Sequence, residues 1–311
     1  MSTERFFAYA RERHTIYLRR QNGAPRDRLT EDKILQTYRF CNVFRELDTT
    51  TVWFRENVRD PLRDRPEVLL ATVLFRWFNR IRTGEAIFQT TVNFDDTTAF
   101  EEMCRTGPSY LSKIAIIVRS HCGQGPYVTG SYIVKTPDKM DKLTGVLWCV
   151  ERFMTAKKYW PTDNMTWLNV AEFCLDCRGQ SLERMWEWLR QHEYLGDFMA
   201  YEIVSDLQYT ALLDQAPDIM TWANAGPGAR RGLNRVFGRD LRATTTKHQQ
   251  CREMQELLAM SQSGEYWPQV HYGSEDNPSW DMRTVEHTLC EFDKYERVRL
   301  GEGAPRQRFR P

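Results

Sequence analysis

The stretch Trp222-Ala223-Asn224-Ala225-Gly226-Pro227-Gly228-Ala229-Arg230-Arg231-Gly232-Leu233 constrains the fold of this chain more than any other. Gly-Pro-Gly cannot continue a helix arriving from upstream. Proline lacks the N–H and clashes with the preceding turn, and glycine loses the most chain entropy. The triplet suits a tight turn with positive φ. Apolar residues precede it, and the basic run Arg230, Arg231, Arg235, Arg239 and Arg242 follows. This layout predicts a helix-hairpin-helix at about residues 215–240. Its exposed N–H groups and the N-terminus of the following helix can hold a phosphate.

Any nucleic-acid contact must be local. The net charge is +1 over 311 residues, which excludes a globally basic coat. From Gly226 to Arg252 there are seven Lys/Arg against one acid, Asp240; from Lys294 to Pro311 there are six against Glu296 and Glu302. Acids elsewhere balance these two patches. With 41% hydrophobic residues the chain can bury a sizeable core, in one large domain or two small ones. Ten Trp, thirteen Tyr and sixteen Phe belong mostly to that core, and a few could stack on a base.

The N-terminus, Met1 to Arg13, is polar and helical in pattern, unlike a signal peptide. No apolar run approaches membrane-crossing length. A reducing cytoplasm with free thiols is therefore expected. Cys174 and Cys177 form the one CxxC among eight cysteines. It lacks the second ligand pair of a zinc site, so plain thiols are the better reading.

Periodicity predicts a mainly α chain. Helices are expected over residues 3–21, from Thr30 and Lys33 to about Val58, across the apolar run from Val68, and over Thr97–Thr106. Others are expected over Lys139–Ala156, Ser181–Leu189, Asp197–Leu213, Thr244–Met260 and Met282–Arg299, with a frayed tail from Gly301. Ile114–Val118 and Tyr127–Val134 are β-branched and flanked by glycines, which invites a short β-hairpin near 114–134, although such short apolar runs also suit helix.

Four constellations could carry chemistry. On the expected second helix, Tyr38, Asn42 and Arg45 share a stripe, with Asp48 three residues on; a solvated face with internal pairs is the plainer reading. Gly123-Gln124-Gly125-Pro126-Tyr127-Val128-Thr129-Gly130-Ser131-Tyr132 could approach a phosphate, but it is no P-loop, since GxxxxGK[ST] is absent throughout, and ordinary turns suit it better. Glu202 and Asp206 stand i,i+4 on one face near Tyr201, an arrangement that costs stability unless a cation or a DNA-facing base lies near, which hints at a site, with a plain surface face as the even alternative. Glu286 and Asp293 lie two turns apart, with His287 and Cys290 on the adjoining stripe. Such acids suit general acid and base work, and a Cys near a His could be a nucleophile.

These segments carry a resemblance. The hairpin followed by Val285-Glu286-His287 resembles helix-hairpin-helix DNA glycosylases, whose later helix carries an acid facing a flipped nucleotide. More closely, YRFCNVFRELD (38–48), FMAYEIVSDLQYT (198–210), WANAGPGARRGLNR (222–235) and EHTLCEFDKYERVR (286–299) resemble the α-glutamyl/putrescinyl-thymine pyrophosphorylases. These form the helical domain found beside, or fused to, bacteriophage 5-hydroxymethyluracil DNA kinases. The likeness runs from about Phe6 to Arg299, with four motifs in order. The chain lacks a kinase segment, has Glu286 where base-excising glycosylases use Asp, and shows no obvious catalytic Lys in the hairpin.

The resemblance implies a single helical catalytic domain of two lobes over residues 1–311, with a helix-hairpin-helix DNA glycosylase-like fold. It implies a thymidine hypermodification transferase acting on double-stranded DNA whose 5-pyrophosphoryloxymethyl-uracil is prepared by the partner kinase. An amino acid or polyamine would displace pyrophosphate from a flipped nucleotide, in the host cytoplasm if the chain is phage-encoded. Gly226, Gly228, Arg230, Arg231 and Arg235 would grip DNA phosphate. Arg39 and Arg45 would hold pyrophosphate, Asn42 would read the uracil edge, and Tyr201, His287 and Lys294 would line the substrate site. Glu286 or Asp293 would be the general base, Asp206 would orient the amine, and Cys290 could add to the base. No acidic metal cluster stands out, so no metal ligands are assigned and assistance by Mg²⁺ is left open.

Overall fold

The computed structural model describes residues 2–91, 97–156, 180–275 and 277–309. Its helices are α1 (Ser2–Gln21), α2 (Lys33–Thr37), α3 (Thr49–Phe54), α4 (Glu67–Phe78), α5 (Ile81–Gly84), α6 (Ala99–Thr106), α7 (Leu111–Cys122), α8 (Lys142–Thr155), α9 (Leu182–Leu189), α10 (Gly196–Leu207), α11 (Pro227–Val236), α12 (Lys247–Gln262) and α13 (Met282–Arg299). The described residues contain no strand, only the isolated bridges Tyr38–Arg308 and Thr91–Thr98. No helix among them is long and apolar enough to cross a membrane. Cys174 and Cys177 lie outside the described residues.

The chain divides into two compact units, one of Met1–Asp48 with Ile219–Pro311 and one of Thr49–Asp218. In the first, α1, α12 and α13 surround an aromatic core. Phe6 packs edge-on to Phe292 at 5.6 Å, and Trp267 edge-on to Trp280 at 5.0 Å. The buried Trp267 indole donates to Asn277 Oδ1 at 2.7 Å, which satisfies its one donor. In the second unit α4 is buried on nearly every side, as a helix apolar all round must be. Phe75 from α4 stacks on Phe54 at 4.4 Å.

Caps set the helix starts as local chemistry dictates. Asp32, Asp141, Ser181, Thr246 and Asp281 each accept from backbone N–H groups of the first turn. Thr98 and Glu101 form a reciprocal capping box.

Three expectations change. Ile114–Val118 lies inside α7, and residues 127–134 are irregular, so the β-hairpin gives way to helix and loop. The loop is tied down by Thr129 N–H on Phe78 O at 2.8 Å and Tyr132 Oη–H on Arg76 O at 2.7 Å. The long second helix is broken. After α2 the backbone turns extended at Tyr38 (φ −111°, ψ 151°), makes a 3₁₀ turn over Arg45–Leu47 and re-enters helix at Thr49. Finally, the C-terminal segment bonds to the chain after α2: Arg39 N–H donates to Gln307 O at 3.1 Å and Phe309 N–H to Thr37 O at 3.0 Å.

Candidate functional site

The glycines of the hairpin do something other than turn. α10 ends at Leu207, and residues 208–221 run through successive turns rather than a helix leading into the hairpin. Gly226 is the N-cap of α11 at φ −67°, Pro227 occupies the first position and Gly228 is helical, so positive φ is not used. These residues instead let α11 lie close against α13. A Cβ on Gly228 would strike Cys290 Sγ, and one on Gly232 would lie 2.9 Å from the Leu289 carbonyl carbon and nearer still to its oxygen. At the open end, Gly226 N–H donates to Glu286 Oε1 at 3.2 Å, bringing an acid to the start of a helix, where its dipole favours negative charge.

The packing also decides which arginines are available. Arg231 and Arg235 each donate Nε–H to the fully buried Asp293 at 2.9 Å. Arg297 lies 3.5 Å from the same carboxylate, and Arg235 also meets Glu302. Arg239 grips Glu253 bidentately at 2.6 and 2.7 Å. Arg230 is exposed and makes no ion pair among the described residues. Asp293 is therefore a buried hub of cations, and the Arg235 side chain is only 6% exposed. Of the three arginines assigned to DNA, Arg230 alone keeps an uncommitted head group.

The 38–48 segment lies along α13, not on a helical stripe of its own. Cys41 N–H donates to Glu291 Oε2 at 2.8 Å. Asn42 is buried and bonded through its backbone N–H and each polar atom of its side-chain amide: its N–H donates to Asp48 Oδ1 at 2.9 Å, its Nδ2 to Leu47 O at 2.7 Å, and its Oδ1 accepts from Arg13 at 2.6 Å. These side-chain bonds replace a helix ladder, which is why the helical pattern fails there. They also leave Asn42 shaping the segment rather than presenting an amide to a ligand. Arg39 is exposed.

Around His287 the segment and α13 together make a polar cluster. Cys41 Sγ, an Asp48 oxygen and a His287 ring nitrogen all lie within 4.8 Å of one another. Burial lowers the His287 pKa to about 3, reinforced by Arg45, Arg283 and Lys294. Burial pushes the Cys41 thiol well up, helped by Glu291 and Asp48, and it also raises the Asp48 carboxyl. Glu291 is opposed by its burial, yet Lys294 and His287 hold it below the usual carboxylate range. Lys294 donates to Glu291 at 2.8 Å and sits 4.8 Å from the centre of the Phe40 ring. Arg283 pairs with Glu46 at 3.1 Å. Cys290 is exposed as a residue, but desolvation of its sulfur where it packs against Gly228, with Glu286 and Glu291 beside it, pushes the thiol above its ordinary value, which disfavours a thiolate nucleophile there. An open cleft of about 650 Å³ lined by Arg26, Lys33, Gln36 and Phe309 among others contains none of these groups.

Glu286, His287, Cys290, Asp293 and Lys294 thus share one helix, in the same unit as Gly226-Pro227-Gly228 and α11. Tyr201, Glu202 and Asp206 belong to the second unit, all buried. There Asp206 is fully buried and bidentate with Arg76, through Nε and, at 2.6 Å, through Nη2. Burial works against the Arg76 charge, but Asp206 outweighs it and raises the pKa. The cation that the like-charged pair requires is Arg76.

Sequence reasoning did not connect Cys41 and Asp48 to His287. They lie more than 230 residues apart along the chain, and no local period links them. Glu291 carried a usable signal, standing four residues from His287 on the same helical stripe.

Comparison with known proteins supplies the frame for this geometry. The family model described as "5-hmdU DNA kinase, helical domain" matches residues 1–304. A protein of Bacillus phage SP10 described as "5-hmdU DNA kinase" is 28% identical over 250 residues, covering 75% of this chain. The match covers only 36% of that relative's length. No solved structure matches.

Proposed function

This chain belongs to the family of 5-hmdU DNA kinase helical domains, and from that premise we propose that it acts in the hypermodification of hydroxymethyluracil-bearing phage DNA. Within that role we propose an amine transferase that replaces the pyrophosphate of 5-pyrophosphoryloxymethyl-uracil with an amino acid or polyamine. The carrying observation is the Gly226–Glu286 hydrogen bond, which joins an acid to the leading edge of the hairpin helix. An amine must be neutral to attack, and a carboxylate held at the start of the helix that carries Arg230 suits its deprotonation; Gly226, whose N–H is taken by Glu286, is not a phosphate donor there. In the step, the amine nitrogen forms a bond to the exocyclic carbon of the base. The carbon–oxygen bond to pyrophosphate breaks, the electron pair leaves with pyrophosphate, and Glu286 takes the amine proton.

Several groups have supporting parts. Arg230 contacts DNA phosphate. Arg39 and Arg45 offer positive charge to the leaving group. Asp293 holds Arg231 and Arg235 in place and is a weaker choice of base than Glu286.

The test is incubation of pyrophosphorylated DNA with a pool of amino acids and polyamines, followed by nucleoside mass spectrometry. An added amine mass on an intact nucleoside, with pyrophosphate released, supports the reading. Free base with abasic sites would make the protein a glycosylase. Unaltered DNA that is nevertheless bound would make it an accessory protein.

A further inference from the structure

The cluster of Cys41, Asp48 and His287 combines a thiol, a carboxylate and an imidazole from two stretches of chain, with ligand atoms no more than 4.8 Å apart. Ligands on a tetrahedral zinc ion stand roughly 3.3–3.8 Å from one another, from bond lengths of about 2.0–2.3 Å. The observed spacing closes to that with a shift of roughly 1 Å or a rotamer adjustment. A second observation points the same way. Nε2 of His287 is buried and has no hydrogen-bond partner among the described residues, whereas buried polar atoms are nearly always bonded. The fold also delivers the ligands on held elements. Cys41 is anchored by its N–H on Glu291, Asp48 by Asn42 N–H on its Oδ1, and His287 by its place in α13.

We propose that Cys41, Asp48 and His287 form a three-ligand site for a divalent transition-metal ion, with a fourth position open to water or a phosphate oxygen. The donor set decides the ion. Thiolate and imidazole select zinc or a similar borderline ion over Mg²⁺, which takes oxygen ligands in octahedral array. On binding, the metal–sulfur bond replaces the Cys41 S–H bond and the proton leaves to solvent. Thiolate and carboxylate then neutralise the ion, while Glu291 and Glu46 offset the neighbouring Lys294 and Arg283. Three protein ligands and one open position is the pattern of zinc sites that do chemistry, whereas structural sites are closed by four. This assignment is independent of amine transfer.

Titration of the full chain, stripped with chelator, with Co²⁺ tests it. The expected result is one Co²⁺ per chain, visible d–d bands of tetrahedral intensity and a near-ultraviolet sulfur-to-cobalt charge-transfer band, all displaced by Zn²⁺. Cys41→Ser should abolish the charge-transfer band, and His287→Gln and Asp48→Asn should each weaken binding at least tenfold. Cys251→Ser, in the same unit, should leave the spectrum unchanged. Should Cys41→Ser fail to fold by circular dichroism, His287→Gln carries the decision through its loss of affinity. Absence of the bands from the unaltered protein would overturn the proposal. So would a charge-transfer band that survives Cys41→Ser or disappears in Cys290→Ser, or unchanged affinity in His287→Gln.

Discussion

Arg235 donates its Nε–H to Oδ1 of Asp293 at 2.9 Å, and both side chains are withdrawn from solvent by that bond. The hairpin's basic run and the acid-bearing helix, which read in sequence as two functional surfaces, face each other in part. The four α13 positions Glu286, Leu289, Cys290 and Asp293 all meet α11. A DNA-binding role for this helix pair must therefore use the exposed Arg230, and a catalytic role falls to Glu286, half-buried and bonded at the start of α11.

Asp293→Asn is expected to act on stability. The replacement leaves the nearly buried Arg235 with Glu302 as its remaining counter-charge, so the loss should fall below the roughly 3–5 kcal/mol of a buried charge left wholly unpaired. Urea unfolding should show a midpoint lowered accordingly. A variant that unfolds like the parent yet loses turnover would instead make Asp293 the catalytic base.

Gly232→Ala and Gly226→Ala should differ sharply despite identical chemistry. At Gly232 the new methyl meets the Leu289 backbone carbonyl, which cannot rotate away. Overpacking of this kind costs about 1–3 kcal/mol and outweighs the gain in helix propensity of about 1 kcal/mol. At Gly226 φ is −67° and the nearest atom is Glu286 Oε1 at 3.6 Å, so the loss should stay below about 1 kcal/mol. Thermal denaturation of the two variants side by side checks the contrast.

Arg230→Ala should weaken DNA binding uniformly across sequences and reduce the slope of log affinity against log salt by about 0.9, while leaving stability intact. Fluorescence anisotropy over a salt series measures this. Equal binding by Arg230→Ala and parent would remove the hairpin from the DNA interface.

Protein freed of metal should lose stability as pH falls from 6.5 toward 3. His287 takes up a proton at its ordinary pKa of 6.5 once unfolded, but only at about 3 when folded. Between those values the unfolded chain binds more protons, so stability rises with pH and falls on acidification. The slope contributed by this residue is at most about 1.4 kcal/mol per pH unit. Denaturant unfolding at pH 5 and pH 7 should show a smaller difference for His287→Gln than for the parent.

Cys290→Ala should retain turnover in the amine-transfer assay, because desolvation of the sulfur against α11 and the neighbouring Glu286 and Glu291 disfavour its thiolate. It should also relieve the clash that Gly228→Ala would create with Cys290 Sγ, so the double variant should be more stable than Gly228→Ala alone. Abolished turnover with the fold intact would restore a covalent route through this thiol.

How much was legible differs by element, for physical reasons. α13 was expected over Met282–Arg299 and spans those residues, because an Asp N-cap, a sustained helical period and a basic last turn agree locally. α7 was ambiguous, since a short β-branched run suits strand or helix until its neighbours are known. The stretch from Tyr38 to Asp48 defied its own pattern: Arg13 and Glu291, remote in sequence, bond the segment in a non-helical path.

The sequence by itself determined that this is a helical chain with one Gly-Pro-Gly interruption, a local basic patch and an acid-bearing last helix, and its motifs carried the family likeness. These properties are set by short-range sterics, capping and period. Only the tertiary structure decided that Gly228 and Gly232 make room for a neighbouring helix, that Arg231 and Arg235 are tied to Asp293, and that Cys41 and Asp48 come to His287. Those are long-range pairings, fixed by which side chains can be buried together with their charges and hydrogen bonds satisfied, and no local period in the chain encodes them.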